Sequence, residues 1–240
     1  MFEPIVNEGP GANASGTTET PLIRLDKVNV FQKKNLILSE VSLHVNKGEF
    51  VYLIGKTGSG KSSLLKVLYG ELGIRQGLGS IAGFDLVSLR TKQIARLRRK
   101  LGIVFQDFQL LSDRTARDNL LFVLEATGWE DEVKISDRIN EVLDQVRLGT
   151  KGFKMPHELS GGEQQRLGIA RALLNDPEII LADEPSGNLD PETTRELMSL
   201  FFDISRTGTS VLMATHNHNL LEEYPARTIR CESGKVFEQR

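Results

Sequence analysis

The sequence predicts an α/β fold in which a mostly parallel sheet is covered by helices on both faces. Two observations carry that prediction. Short apolar runs that read as strands alternate along the chain with stretches whose apolar residues recur at helical spacing. The string Gly55-Lys56-Thr57-Gly58-Ser59-Gly60-Lys61-Ser62 lies between one such run, Phe50–Ile54, and a helical stretch carrying Leu64, Leu65, Val67 and Leu68 and ending near Gly70. Strand, glycine loop, Lys-Ser and helix, in that order, are the setting of a phosphate-binding loop. Glycines let the backbone turn tightly and aim successive N–H groups at an anion. The helix N-terminus adds its dipole and unpaired donors. Lys61 can reach the β- and γ-phosphates and the Ser62 hydroxyl can ligate Mg²⁺, so the loop predicts binding of a nucleoside triphosphate.

At 240 residues the chain can bury one large core or a core with a subdomain. Its 39% hydrophobic and 26% charged content is that of an ordinary soluble globular protein, and a net charge of −2 gives no overall reason to expect a nucleic acid or an anionic membrane as partner. Cys231 is the only cysteine, which excludes an internal disulfide and agrees with a reducing compartment. No apolar run approaches the roughly 20 residues needed to cross a bilayer, and Met1-Phe2-Glu3-Pro4 does not read as a signal peptide. A cytoplasmic location is expected, with any membrane association supplied by a partner.

In chain order, residues 1–21 read as a disordered tail and residues 22–240 as a single domain. Leu22 to Val30 and Leu36 to Val45 form two β-rich runs, and Asn46-Lys47-Gly48 turns the chain into the strand before the phosphate loop. Gly77 to Gly83 suggests another short strand. The basic segment Arg90, Lys92, Arg96, Arg98, Arg99 and Lys100 fits a solvated helix face, and it lacks the interleaved aromatic residues of a nucleic-acid surface. Gly102–Phe105 reads as a strand ending at Gln106. Two helical patterns follow, Thr115 to Thr127 and Ile135 to Val146, within a helical insertion spanning about 107–165. Glu178–Ala182 and Ser210–Ala214 are strands, Asp190-Pro191 caps and opens a helix, and Thr228 to Phe237 forms a hairpin turning at Ser233-Gly234.

Asp183 and Glu184 end an apolar strand, where ligands bind in open α/β sheets. By itself this is a weak signal that a helix cap and a surface charge also explain. Beside a phosphate loop, one carboxylate can hold Mg²⁺ and the second can activate water. Leu159-Ser160-Gly161-Gly162-Glu163-Gln164-Gln165-Arg166 is a second glycine turn at a helix start, either a plain cap or another anion site.

That last string resembles the signature of ATP-binding-cassette (ABC) ATPases, and the rest of the family's pattern follows in order. Phe31 stands where the family stacks an aromatic on adenine, and Gln106 matches its glutamine loop. Ser186-Gly187-Asn188-Leu189-Asp190 matches the loop after the acidic strand, and His216 matches the switch histidine. The resemblance covers about residues 22–237. It implies a RecA-like P-loop NTPase core, an N-terminal antiparallel β subdomain and a helical signature subdomain. It also implies a Mg²⁺-dependent ATPase in which Glu184 is the general base, His216 positions water and γ-phosphate, and Ser62, Gln106 and Asp183 hold the metal. Ser160, Gly161 and Gly162 would close on the nucleotide of a partner in an ATP-dependent head-to-tail homodimer. Asn217 and Ser63 depart from the family's common residues without removing a ligand. His44, His157 and His218 have no metal-ligand spacing and are read as structural.

Within the family, Asp107 and Asp113-Arg114-Thr115 resemble the ATPases of bacterial cell division, which transmit conformational change through a permease-like membrane subunit to peptidoglycan hydrolysis. The resemblance implies docking of that subunit at Gln106–Thr115 and a position on the inner face of the plasma membrane. Residues 182–190 and 211–216 agree with the cell-division ATPases too and, more loosely, with ATPases of lipoprotein-release and macrolide-efflux transporters. A soluble cassette acting on DNA or ribosomes lacks a tandem cassette, coiled-coil insert or basic stripe in its favour. A small-molecule kinase lacks an evident lid.

Overall fold

The computed structural model describes residues 20–239, so the tail expected at residues 1–21 lies outside the described residues apart from Thr20 and Pro21. Strands β1 (Ile23–Gln32), β2 (Asn35–Val45), β4 (Leu78–Ile81) and β5 (Phe84–Asp85) form an antiparallel sheet in the order β2-β1-β4-β5. A second, six-stranded sheet has the order β10-β9-β3-β8-β7-β6. It is built from β3 (Phe50–Ile54), β6 (Leu101–Val104), β7 (Ile179–Asp183), β8 (Ser210–Thr215), β9 (Arg227–Glu232) and β10 (Lys235–Gln239). Its pairings are parallel except for the β9–β10 hairpin.

The parallel strands are short continuous apolar runs because both faces are covered, and their alternation divides the interior. Phe50, Tyr52 and Ile54 of β3 join Ile180, Ala182, Val211 and Met213 in one core. That core is covered by α3 (Ala116–Ala126), α4 (Glu132–Gln145), α5 (Gly161–Leu173) and α6 (Pro191–Arg206). Val51 and Leu53 face the other way, with Ile179, Leu181, Leu212 and Ala214, onto α1 (Lys61–Leu68), Leu97 of α2 (Thr91–Arg99) and the antiparallel sheet. Thr115, Asp131, Ser160 and Asp190 each accept a backbone N–H at a helix start, which fixes where α3 to α6 begin.

The α/β class and the strand–helix alternation agree with expectation. Two short pieces were not anticipated: β5 and the helix α7 (Asn219–Glu223), which follows β8. A two-residue strand and a five-residue helix are too short to show a period. Among the described residues no helix is long and apolar enough to cross a membrane.

Asn119 was also passed over, as a polar residue inside an apolar helical stretch. It is 2% exposed, its amide donates to Leu111 O (3.0 Å), Arg114 O (3.2 Å) and Thr115 O (3.0 Å), and its Oδ1 accepts from Leu111 N (2.8 Å). One buried side chain thus moulds the segment that links β6 to α3. Asn119→Ala should cost about 2 kcal/mol in urea unfolding, since it leaves buried backbone groups unpaired. Amide protection should fall first at residues 111–115, and unchanged protection there would show the segment is held by other contacts.

Candidate functional site

The carboxyl ends of β3, β7 and β8 meet at one place, where open α/β sheets bind ligands. β3 runs into the loop Gly55–Ser62, whose path needs glycine. Gly60 has φ +106°, and a Cβ there would lie 2.8 Å from Leu38 Cδ2. At Gly55 a Cβ would run into the carbonyl of Cys231 on β9. Ser59 N donates to Lys56 O at 3.1 Å, whereas the N–H groups of Gly58, Gly60, Lys61 and Ser62 have no acceptor among the described residues. Ser59 Oγ is buried there without a partner. Unpaired donors converging at a helix start form an anion cradle, and this one fits a polyphosphate.

Lys61 is 4% exposed, and its ammonium donates to Gly55 O (2.8 Å) and Lys56 O (3.2 Å). It also pairs with Glu184 Oε1 at 3.1 Å. Glu184 sits just past β7 in the left-handed region, φ +48°, a conformation that costs an L residue about 1–2 kcal/mol. Its N–H donates to Ala214 O at 2.9 Å and its carbonyl accepts from Gly187 N at 3.0 Å, which hold it in that turn. The other carboxylate oxygen, Oε2, accepts from the His216 backbone N–H (3.2 Å) and lies 2.8 Å from His216 Nδ1. A carboxylate only accepts, so Nδ1 carries a proton in this contact.

Asp183 Oδ1 accepts from the Ser62 hydroxyl at 2.9 Å. Burial holds the Asp183 carboxyl above the usual carboxylate range; the Glu184 charge adds to this, while the Ser62 hydrogen bond and Lys61 oppose it. Gln106, at the end of β6, donates from Nε2 to Asn188 Oδ1 (3.4 Å), and Asn188 Nδ2 donates back to Gln106 O (3.2 Å). Ser62, Gln106, Asp183 and Asn188 line one cleft of about 630 Å³. Among the described residues no cluster of three or more His, Cys, Asp or Glu could cage a metal. Hydroxyl, carboxylate and amide oxygens beside an anion cradle nevertheless fit Mg²⁺, which takes few protein ligands and fills its shell from phosphates and water.

The structure therefore brings together residues 55–62, Gln106, Asp183, Glu184 and His216. It does not bring in the second glycine turn. Ser160 caps α5 in a box with Glu163: Glu163 N donates to Ser160 Oγ (3.3 Å) and Ser160 N to Glu163 Oε2 (2.9 Å). A Cβ at Gly162 would run into Thr193 of α6, and the nearest neighbours of one at Gly161 are Leu189 and Phe108. Phe31, at the end of β1, lies under the Arg75 guanidinium, 5.1 Å from the ring centroid. The cleft of about 370 Å³ beside the loop is lined by Lys56 to Ser59, His218, Cys231 and Glu232 rather than by Phe31. His218, read as structural, thus borders the loop. A hollow of about 930 Å³ at the amino ends of the strands, between Lys47, Arg138, Asp176 and Thr209, holds none of these residues. The reading in sequence missed Asn188 as the partner of Gln106, since nothing in a loop's sequence states what its amide faces.

The family model described as ABC transporter matches residues 38–187. Curated relatives named "Cell division ATP-binding protein FtsE" are similar over most of their length. That of Streptococcus pneumoniae serotype 2 is 44% identical over 211 residues, 88% of this chain and 91% of the relative. That of Mycobacterium tuberculosis is 44% identical over 223 residues (91% and 96%), and that of Escherichia coli K12 41% identical over 199 residues (83% and 89%). Among solved structures, the dimeric bacterial ABC transporter cassette MJ0796 superposes with a TM-score of 0.80 at 32% identity, covering 91% of this chain and 98% of that one. Its dimeric post-hydrolysis state bound to ADP and Pi gives a TM-score of 0.81 at 32% identity, with the same coverage.

Asp183 yields a test independent of turnover. Because the folded state raises its pKa, the folded protein holds this proton more tightly than the unfolded chain. Stability from this group is therefore lost as pH rises through the carboxylate range, and the penalty is complete above the folded pKa. Asp183→Asn should stabilise the nucleotide-free protein at pH 7.5. The gain should shrink toward pH 4, as read by chemical unfolding at both pH values.

Proposed function

We propose, from the premise that this chain belongs to the ABC transporter family and is an ABC-type ATPase that binds ATP, that it is the ATP-hydrolysing subunit of a bacterial cell-division complex. The observation that carries the division assignment is 41–44% identity, over most of the chain, to proteins named for that process.

In this reading the backbone donors of residues 55–62 bind the triphosphate. Lys61 exchanges the Glu184 carboxylate for phosphate oxygens, and this releases Oε1 to accept a proton from the attacking water. Glu184 is the general base. The 2.8 Å contact from His216 Nδ1 holds its carboxylate in place, and His216 positions the water and γ-phosphate. Ser62, Asp183 and Gln106 would hold Mg²⁺, which would supply positive charge to offset that of the phosphates. Phe31 stacks on adenine.

The helix start at Ser160-Gly161-Gly162, which lies outside the phosphate-loop cleft of its own chain, suits a head-to-tail homodimer in which it closes on the partner's γ-phosphate; the dimeric state of MJ0796 supports this reading. ATP then joins the two subunits and hydrolysis releases them. The ATPase domain spans residues 22–240, with residues 107–165 as its helical subdomain. An FtsX-like permease subunit docks along Gln106–Thr115, where Leu111 is exposed, and holds the protein at the inner face of the plasma membrane.

Glu184→Gln should bind ATP near normally and hydrolyse it at least ~10²-fold more slowly, the usual scale for a lost general base. Near-normal turnover would remove Glu184 from that role. Tagged Glu184→Gln protein, trapped with ATP in its native cells and purified from mildly solubilised membranes, tests the division assignment. Recovery of a permease-like subunit with wall-hydrolase components supports it, and recovery of a lipoprotein-release or efflux permease places the chain in a transporter.

A further inference from the structure

The segment that follows β6 carries a backbone feature that the nucleotide chemistry does not explain. Phe108 and Gln109 are consecutive non-glycine residues in the left-handed region, with φ +59° and +48°. Each is costly for an L residue and persists only when its surroundings hold it. Gln109 N donates to Asp107 O at 2.6 Å, which closes the turn from within. The outward-facing carbonyls are held by α5. Arg171 donates from Nη2 to Phe108 O at 2.9 Å and from Nη1 to Gln109 O. Gln165, 0% exposed, donates from Nε2 to Phe105 O at 3.2 Å.

Gln165, Gly168 and Arg171 recur every three residues and form one stripe of α5. The turn lies over the middle of that stripe, where a Cβ on Gly168 would be 3.9 Å from Phe108 O. Burial works against the Arg171 charge, while the Asp107 charge favours it. On the opposite side, Gln106 is joined to Asn188 and packs against Gly187. The backbone on both sides of Gln106 is therefore fixed by the same helix that begins at Ser160.

We propose that Arg171 and Gln165 are positioning residues: they clamp carbonyls 105, 108 and 109 to α5 and so hold the Gln106 side chain at the cleft shared with Ser62 and Asp183. The effect on the cation rests on the reading of Gln106 as a Mg²⁺ ligand, whereas the clamp itself does not.

The test uses the full chain without nucleotide and compares Arg171→Met and Arg171→Lys with the parent. Hydrogen exchange at amides 106–110 should accelerate about tenfold or more in Arg171→Met, as local opening becomes easier, with partial recovery in Arg171→Lys. Titrating Mg²⁺ against a fluorescent ATP analogue should show half-saturation raised about tenfold, the scale of losing an outer-shell partner, with binding in EDTA changed less than about twofold. Exchange at 106–110 unchanged in Arg171→Met, or accelerated equally throughout the protein, overturns the clamp. Gln106→Ala separates the two claims. If it leaves the Mg²⁺ titration unchanged, the metal role of Gln106 fails, and the exchange result alone decides the clamp.

Discussion

The contact between Lys61 and Glu184 is the constraint around which the site is arranged. Both groups are nearly dry, with side chains 5% and 13% exposed, and their 3.1 Å separation joins the loop after β3 to the end of β7. A buried charge is tolerated only with good partners, and each has them. Two loop carbonyls receive the ammonium, and His216 binds the far oxygen of the carboxylate. Neither residue can move without leaving the other charge uncompensated. Three strands that are distant in sequence are thus brought to one arrangement before any ligand arrives. In the proposed reading, this pairing would keep Glu184 engaged until a phosphate competes for Lys61.

The sheet makes this possible through the simple alternation of its strands. Successive residues of β3, β7 and β8 serve different cores, so neither face can shift without disturbing the other. The strand ends are consequently rigid mounts. The candidate site lies at and just beyond these ends, at Gly55–Ser62, Asp183-Glu184 and His216, where backbone strain such as the left-handed Glu184 can be borne by neighbouring hydrogen bonds.

Much of this was legible in the sequence because the responsible signals are local. A glycine loop between a strand and a helix, a Ser, Thr or Asp before a helical period, and an Asp-Pro helix start each state their own structure within a few residues. The long strands and helices follow their hydrophobic periods, and β5 and α7 escaped because they are shorter than any period. What was not legible is relational. Asn119, within the helical stretch read over Thr115 to Thr127, is the plug that shapes residues 111–115. Arg171 sits among alanines and leucines, and only the fold shows which carbonyls it faces. Phe31 was expected to await an adenine, and its ring is met by Arg75 across the top of β1. Cross-chain partners of this kind are set by three-dimensional packing and leave no spacing rule to read.

The closeness of Gly55 to the Cys231 carbonyl has a consequence for how the protein comes into being. The Cys231 thiol also donates to Ser59 O at 2.9 Å, and β9 pairs in parallel with β3. One wall of the phosphate loop is therefore supplied by residues that leave the ribosome long after the loop itself. A nascent chain that has already translated its Lys-Ser helix still carries a cradle open along that side. That side of the loop takes its final shape only once residues 227–232 have joined the sheet beside β3.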